Sequence, residues 1–187
     1  MLTVTLDTGT LSLVDALAAL DGLEVDVAVT TVTAREVEGT PWAVKIKQLK
    51  RVPETAVWGE SRWGEARWGS DADGDRHERL LALLSGGGFP KPGQRDNLTD
   101  GQKHLQRDVM ILAAHARESR DIFVSNDTKA IGRAGERLRE RLRQDFGIRA
   151  MTSDEFADFC ASPQVRMRAG RVLPGAVVVC RGLMTTW

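Results

Sequence analysis

Cysteine is scarce in this chain, which limits the kinds of site it can build. Of its 187 residues two are cysteines, Cys160 and Cys180, and they form no C-x-x-C pair. Structural zinc sites and dithiol redox motifs normally use closely spaced cysteines. We therefore exclude both kinds of site and expect two buried thiols.

Long apolar segments are also missing. Nowhere does the sequence hold the ~18 uninterrupted apolar residues that a membrane-spanning helix needs. The opening "MLTVTLD" has no basic leader of the kind that precedes an export signal. We therefore expect a cytoplasmic protein that has no membrane partner.

The chain has no excess of either charge, because 26 basic residues balance 26 acidic ones. A nucleic-acid partner would therefore have to be held by a local basic patch or through metal ions. A chain of this length buries about 70% of its unfolded surface, which suffices for one core. We expect a single domain over residues 1–187, with an insertion at about 52–99 and a C-terminal extension at about 161–187.

The first third of the sequence alternates between strand and helix patterns. "LTVTLD" has the alternation and β-branched residues of a strand, and "TLSLVDALAALDG" places apolar residues on one helical stripe. "EVDVAVTTVT" repeats the strand pattern. Thr33 is a plausible N-cap for the following "AREVEG", and Glu36, three residues later, would complete a capping box.

The alternation of helix and strand patterns resumes after a stretch of turn residues. Thr99 or Asp100 is expected to cap a long helix that ends before the strand "DIFVSND". A further helix ends at Gly147, "IRAMT" reads as a strand, and Ser153 would cap a last short helix. Helices between successive strands imply parallel pairing with both faces covered. The predicted fold is a three-layer α/β/α sandwich with a central, mainly parallel sheet.

The segment Asp7-Thr8-Gly9-Thr10 matches the D-T-G-T of aspartic proteases. Those enzymes need two such loops, because two carboxylates share a proton across a mostly β scaffold. The sequence has one copy among alternating helices and strands, so a protease is the least favoured interpretation.

The positions of two aspartates favour a different chemistry. Asp7 ends the first predicted strand, and Asp127 ends "DIFVSND" in the same way. A single aspartate at a strand end is usually a turn or cap residue. In parallel α/β sheets, however, ligands bind where the carboxyl ends of the strands converge. If these strands are neighbours, both carboxylates face one crevice.

Four blocks in this order resemble a PIN-domain nuclease, the fold of the VapC-type toxin ribonucleases. They are "LDTGTL", "VTAREVEG", "LQRDVMILAAHARESRDIFVSNDTKAI" and "GIRAMTSDEF", and the resemblance spans residues 3–50 and 99–160. In that family four acidic side chains converge on divalent metal. The resemblance implies that the catalytic, metal-binding residues are Asp7, Glu36, Asp108 and Asp127.

The resemblance also implies a cofactor, an activity and partners. A cluster that offers only oxygen ligands selects Mg²⁺ or Mn²⁺ over zinc. The expected activity is metal-dependent hydrolysis of RNA, with an antitoxin protein as partner if the chain is a toxin, and a homodimer is expected. The alternative for Glu36 is a capping-box side chain, and for Asp108 a solvated helix residue.

Two positions depart from the family pattern. Gly9 stands where the family commonly has asparagine, and Lys129 where it often has a further aspartate. These departures keep open an alternative, a catalytically weak PIN-like module that binds protein or RNA. Thr8, Ser125 and Asn126 are candidates to support the carboxylates through hydrogen bonds.

Trp58, Trp63 and Trp68 recur at a five-residue step. That step matches neither helix nor strand, so the three rings cannot share one face of either element. They could stack on RNA bases or form a dimer contact, but we expect them to pack back onto the core or onto a partner chain. His104 and His115 are expected to be surface or packing residues rather than ligands.

Overall fold

The computed structural model describes residues 1–18, 24–127 and 136–162. Lys129, Cys180 and nearly all of the expected C-terminal extension lie outside these residues.

A five-stranded sheet with all strands parallel forms the middle layer of the described structure. The strand order is β3-β2-β1-β4-β5. The central strand β1 pairs Leu6 with Val29 of β2 on one side and with Val124 of β4 on the other. The strands are β1 (Leu2–Leu6), β2 (Val25–Thr30), β3 (Lys50–Val52), β4 (Ile122–Val124) and β5 (Ala150–Met151).

Helices cover both faces of this sheet, so the expected three-layer α/β/α sandwich is confirmed. The described helices are α1 (Leu13–Ala18), α2 (Thr31–Glu36), α3 (Pro41–Lys45), α4 (Asp71–Leu84), α5 (Asp100–Arg117), α6 (Glu136–Phe146) and α7 (Ser153–Ala161). Among them, no helix has the length and apolar character needed to cross a bilayer.

Side chains along each strand alternate between the two faces of the sheet, so the core forms two clusters. Val4 and Leu6 belong to a cluster with Phe156 of α7 and residues of α1. Phe123, which points the other way from its neighbours on β4, packs with α4, α5 and α6 in a second cluster that includes Leu142. Each fully buried large apolar side chain contributes roughly 1.5–3 kcal/mol to folding. The two clusters together fix the layers around the sheet.

Two expected helix starts are wrong by a few residues. The N-cap of α2 is Thr30, whose hydroxyl accepts a hydrogen bond from the Thr33 N–H at 3.1 Å. Thr33 therefore lies within the first turn, because β2 runs directly into the helix. The cap of α7 is Thr152 rather than Ser153. Of the two caps expected for α5, Thr99 and Asp100, the structure has Thr99.

Strand β3 is not predicted from the sequence. This three-residue strand pairs with β2 at the edge of the sheet and follows a short α3, so its pattern is too brief to recognise. Between β3 and α5, helix α4 contributes Leu80 and Leu81 to the second core cluster. The segment after β3 thus supplies part of one helical layer.

His115 lies on the inner face of α5 and is fully buried. Its Nδ1 is 2.9 Å from the hydroxyl of Thr5 on β1, and its ring packs edge-to-face on Phe123. Burial, with the nearby Arg120 cation as a smaller cause, lowers the pKa of His115 to about 3. The expectation that His115 is a packing residue is confirmed.

We predict that His115 makes folding sensitive to acid. The unfolded chain takes up this proton near pH 6.5 and the folded chain only near pH 3. Stability therefore falls as pH drops between these values, by about 1.4 kcal/mol per pH unit from this group. Denaturant unfolding of His115→Gln at several pH values should show a shallower slope than the parent. His104→Gln, at an exposed position of the same helix, should keep the parent slope, and equal slopes in all three proteins would contradict the prediction.

Candidate functional site

The carboxyl edge of the sheet brings together the ends of β1 and β4. Asp7 directly follows β1, and its N–H donates to the carbonyl of Val124 at 2.9 Å, which extends the ladder by one residue. Asp127 comes three residues after β4. Because these strands are neighbours, the two aspartates lie on adjacent loops, as the sequence predicts.

Ser125 links these two loops. Its buried hydroxyl donates to Oδ2 of Asp7 at 2.6 Å and accepts the N–H of Asp127 at 3.1 Å. The other oxygen of Asp7, Oδ1, accepts the N–H of Thr8 at 2.8 Å. Both carboxylate oxygens of Asp7 are therefore oriented by hydrogen bonds. The prediction that Ser125 supports a carboxylate is confirmed.

Thr8 ties the end of α2 to the same loop. Glu36 is the last residue of α2, and its Oε2 accepts a hydrogen bond from the Thr8 hydroxyl. The capping-box interpretation of Glu36 is wrong, because that motif needs a side chain in the first turn of the helix. Glu36 instead extends from the helix end toward the loop that carries Asp7.

Asp108 faces this loop from the middle of α5, where it is half-buried. Burial and the charges of Asp7, Asp127 and Glu36, in that order, raise the pKa of Asp108 to about 7. Burial also raises the pKa of Asp7, although hydrogen bonds from Ser125 and Thr8 oppose the shift. Interpreting Asp108 as a solvated helix residue is therefore wrong. The four acidic side chains lie close enough to repel one another.

The donors match a hard divalent cation in kind, since carboxylate oxygen is the ligand that Mg²⁺ and Mn²⁺ prefer. Their arrangement is looser than a coordination shell. Within the described ranges, no group of three or more His, Cys, Asp or Glu side chains is arranged to hold a metal ion. Repulsion favours such separation, and Thr8 and Ser125 hold Glu36 and Asp7 by hydrogen bonds. The expected Mg²⁺ or Mn²⁺ therefore stays a prediction.

Other residues singled out in the sequence lie nearby. Asn126 accepts hydrogen bonds from the N–H and the hydroxyl of Ser153, both at 3.0 Å, so its carbonyl oxygen faces α7 rather than the acids. A Cβ atom at Gly9 would meet no other atom within 4 Å. A small side chain would therefore fit at this position.

Sequence reasoning missed Thr10. Its fully buried hydroxyl lies 2.9 Å from the carbonyl of Asp7 and 3.0 Å from that of Val124. It thereby ties the first turn after β1 to β4. The signal was present as the second threonine of D-T-G-T. The parallel sheet is also unlike the mostly β scaffold of a protease, so the motif positions a carboxylate in an α/β fold.

The three tryptophans of the five-residue step are exposed, contrary to expectation. Trp58, Trp63 and Trp68 have exposed fractions of 97%, 86% and 83%. The prediction that they pack back onto the core is therefore wrong. The rings of Trp63 and Trp68 contact each other edge-to-face with centroids 6.1 Å apart.

Comparisons with known proteins add no relative. No protein-family model matches the sequence, and neither curated proteins nor solved structures give a similar chain. The resemblance to the PIN-domain nucleases therefore stays a prediction.

We predict that Asp108 destabilises the fold at neutral and basic pH. The folded chain keeps this proton up to about pH 7, whereas the unfolded chain releases it near pH 3.8. Stability therefore falls as pH rises between these values. At pH 8 in chelator, Asp108→Asn should be more stable than the parent by on the order of 2 kcal/mol, since solvent screens part of the repulsion.

The measurement is denaturant unfolding at pH 8 and at pH 4, where the gain should disappear. Asp75→Asn, at an exposed position of α4, is the matched control and should change stability by less than about 0.5 kcal/mol. A loss of stability in Asp108→Asn at pH 8 would mean that the four acids do not repel one another.

Proposed function

We propose that this protein is a metal-dependent ribonuclease that hydrolyses phosphodiester bonds in RNA. The observation that carries the proposal is the set of four acidic side chains at the carboxyl edge of the sheet: burial raises the pKa of Asp108, and the charges of the other three raise it further. The four side chains come from the end of β1, the end of α2, the middle of α5 and the loop after β4. The proposed catalytic residues and ligands of Mg²⁺ or Mn²⁺ are Asp7, Glu36, Asp108 and Asp127.

Charge makes a cation necessary for this activity. An RNA phosphate cannot approach several carboxylates in a half-buried crevice without a counter-charge. When bound, Mg²⁺ or Mn²⁺ activates water and stabilises negative charge on the phosphate and the leaving oxygen. Its positive charge would also offset the repulsion that raises the pKa of Asp108.

The chain's own residues prepare the site for this task. Ser125 fixes the orientation of the Asp7 carboxylate, and Thr8 directs Glu36 toward the same loop. Burial and the charges of the other acids raise the pKa of Asp108 to about 7, so a bound cation would favour its ionised form at neutral pH. Hydrogen bonds of this kind to ligand side chains typically change metal affinity or activity by 10–100-fold.

Partners follow from the same proposal. An RNA chain is the substrate, and the cytoplasm is the compartment that offers it. As the toxin of a toxin–antitoxin pair, the protein would also bind a small antitoxin encoded beside it, and it would form a homodimer. Co-expression with the product of the neighbouring gene, followed by purification and light scattering, tests both partners.

The second candidate function is a catalytically weak binding module. Three tryptophans exposed to solvent favour it, as does the loose arrangement of the acids among the described residues. Calorimetry separates the two candidates. Mn²⁺ binding that is lost in Asp7→Asn supports the enzyme, and an absence of Mn²⁺ binding supports the module.

We predict that Asp7→Asn and Asp127→Asn each abolish RNA cleavage in Mn²⁺, with a loss of at least about 100-fold because each removes a ligand rather than its hydrogen-bond support. Cleavage of a labelled RNA by each purified protein is the measurement. Asp75→Asn, purified in parallel, is the control and should cut as fast as the parent.

The loss in Asp7→Asn and Asp127→Asn also separates the activity from that of a contaminating host ribonuclease, which would cut equally in all preparations. Cleavage at the parent rate by both Asp7→Asn and Asp127→Asn would refute the proposed site.

A further inference from the structure

The exposed tryptophans belong to a short repeat. Residues 58–62 and 63–67 read W-G-E-S-R and W-G-E-A-R, and a third W-G follows at 68–69. We call residues 53–70, which join β3 to α4, the tryptophan loop. Each repeat combines an indole, a turn residue and a pair of opposite charges.

The tryptophan loop is closed on itself at its base. The N–H of Ala56 donates to the carbonyl of Arg67 at 2.8 Å, and the N–H of Arg67 donates to the carbonyl of Glu54 at 2.9 Å. Gly59 and Gly64, each directly after a tryptophan, have φ angles of +81° and +83°. Such angles favour glycine, so the repeat provides the turns that direct each indole outward.

The glutamates of the repeats attach the loop to the helices that carry two of the acids. Glu60 accepts a hydrogen bond from Arg107 of α5 at 2.9 Å. Glu65 accepts one from Arg35 of α2 at 3.1 Å, and the same guanidinium binds the fully buried Glu54 at 2.6 Å. Arg107 immediately precedes Asp108, and Arg35 immediately precedes Glu36. The tryptophan loop therefore contacts α5 and α2 at the residues next to Asp108 and Glu36. We call the edge of the sheet that carries Asp7, Glu36, Asp108 and Asp127 the acidic crevice.

The arginines of the repeats are also paired. Arg62 makes two hydrogen bonds to Glu38, at 2.5 and 2.9 Å, and Arg67 lies 3.4 Å from Glu118. The cations of the loop are thus already matched by carboxylates. What the loop presents to solvent without such compensation is indole surface, so its ligand should be recognised by flat π faces rather than by phosphate charge.

We propose that the tryptophan loop binds the unpaired bases of single-stranded RNA by stacking and so guides the strand into the acidic crevice. The inference rests on the proposed ribonuclease function and adds the substrate class. The loop contacts the two helices that carry Glu36 and Asp108, so it offers a surface over which a strand cut in the crevice can continue. Bases within a duplex already stack on one another, whereas splayed bases of single strands are free to stack on aromatic side chains.

The test is the affinity for a labelled single-stranded oligoadenylate, measured by fluorescence anisotropy in chelator so that no strand is cut. Trp58→Ala, Trp63→Ala and Trp68→Ala should each weaken binding by about tenfold. Val44→Ala removes an exposed apolar side chain from α3, outside the loop, and should leave affinity unchanged. Because stacking involves no counterion release, the tenfold ratio should persist when salt is raised.

A competitor tests the ligand class. An abasic strand with the same phosphates should bind the parent and the tryptophan variants equally, and a blunt RNA duplex should not compete with the labelled strand. Should an alanine variant unfold, phenylalanine and leucine at the same position replace it in the comparison. Phenylalanine, which keeps a π face, should then bind more tightly than leucine.

The outcomes separate this inference from the proposed function. Equal affinity of parent and folded tryptophan variants overturns the stacking surface, whether or not the protein cuts RNA. If the variants change oligomeric mass in light scattering but bind RNA as the parent does, the loop is a protein interface and the inference is wrong. Base-dependent binding by a parent that cuts no RNA in Mn²⁺ overturns the nuclease and leaves the stacking surface intact.

Discussion

Burial, together with repulsion from neighbouring carboxylates at one edge of a parallel sheet, raises the pKa of Asp108 to about 7. The surrounding residues offset the free-energy cost of holding these carboxylates near one another. Hydroxyl groups of Thr8 and Ser125 hold two of the acids, and Thr10 ties the first turn to the neighbouring strand. Fully apolar packing lies directly beneath, where the strands enter the two core clusters.

Helix α5 combines packing in the core with the half-buried carboxylate of Asp108. Its inner face contributes Val109 and Leu112 to the core, and His115 stays neutral beside Thr5. Asp108 projects from the same helix toward the crevice. The burial that anchors α5 is thus also the burial that makes this carboxylate difficult to ionise. A buried carboxylate whose pKa is raised in this way is a candidate functional residue.

Ion pairs of Arg35 and Arg107 attach the tryptophan loop to α2 and α5. These two arginines lie directly before Glu36 and Asp108 in the sequence. Glu54 is fully buried and paired to Arg35, and breaking a pair of this kind is costly because it leaves an unmatched charge. The loop is therefore held in a defined position beside the acids.

The sequence predicts the order of the main elements and the position of Asp7, because strand and helix periodicities are local. It cannot predict β3, which has three residues and pairs at the sheet edge. Nor can it predict that Thr8 bonds Glu36, since that contact depends on how α2 leaves β2. The exposure of the tryptophans was unpredictable for the same reason, because the position of their loop depends on ion pairs with helices that are distant in sequence.

The most direct test of the proposed metal site is the position of Mn²⁺ in a crystal of the protein soaked with that ion. Anomalous scattering locates the ion. We expect an anomalous peak for an ion that carboxylates of the acidic crevice coordinate, with Asp7 and Asp127 among the ligands. A well-diffracting crystal with no Mn²⁺ at those side chains, or with Mn²⁺ bound only elsewhere, would contradict it.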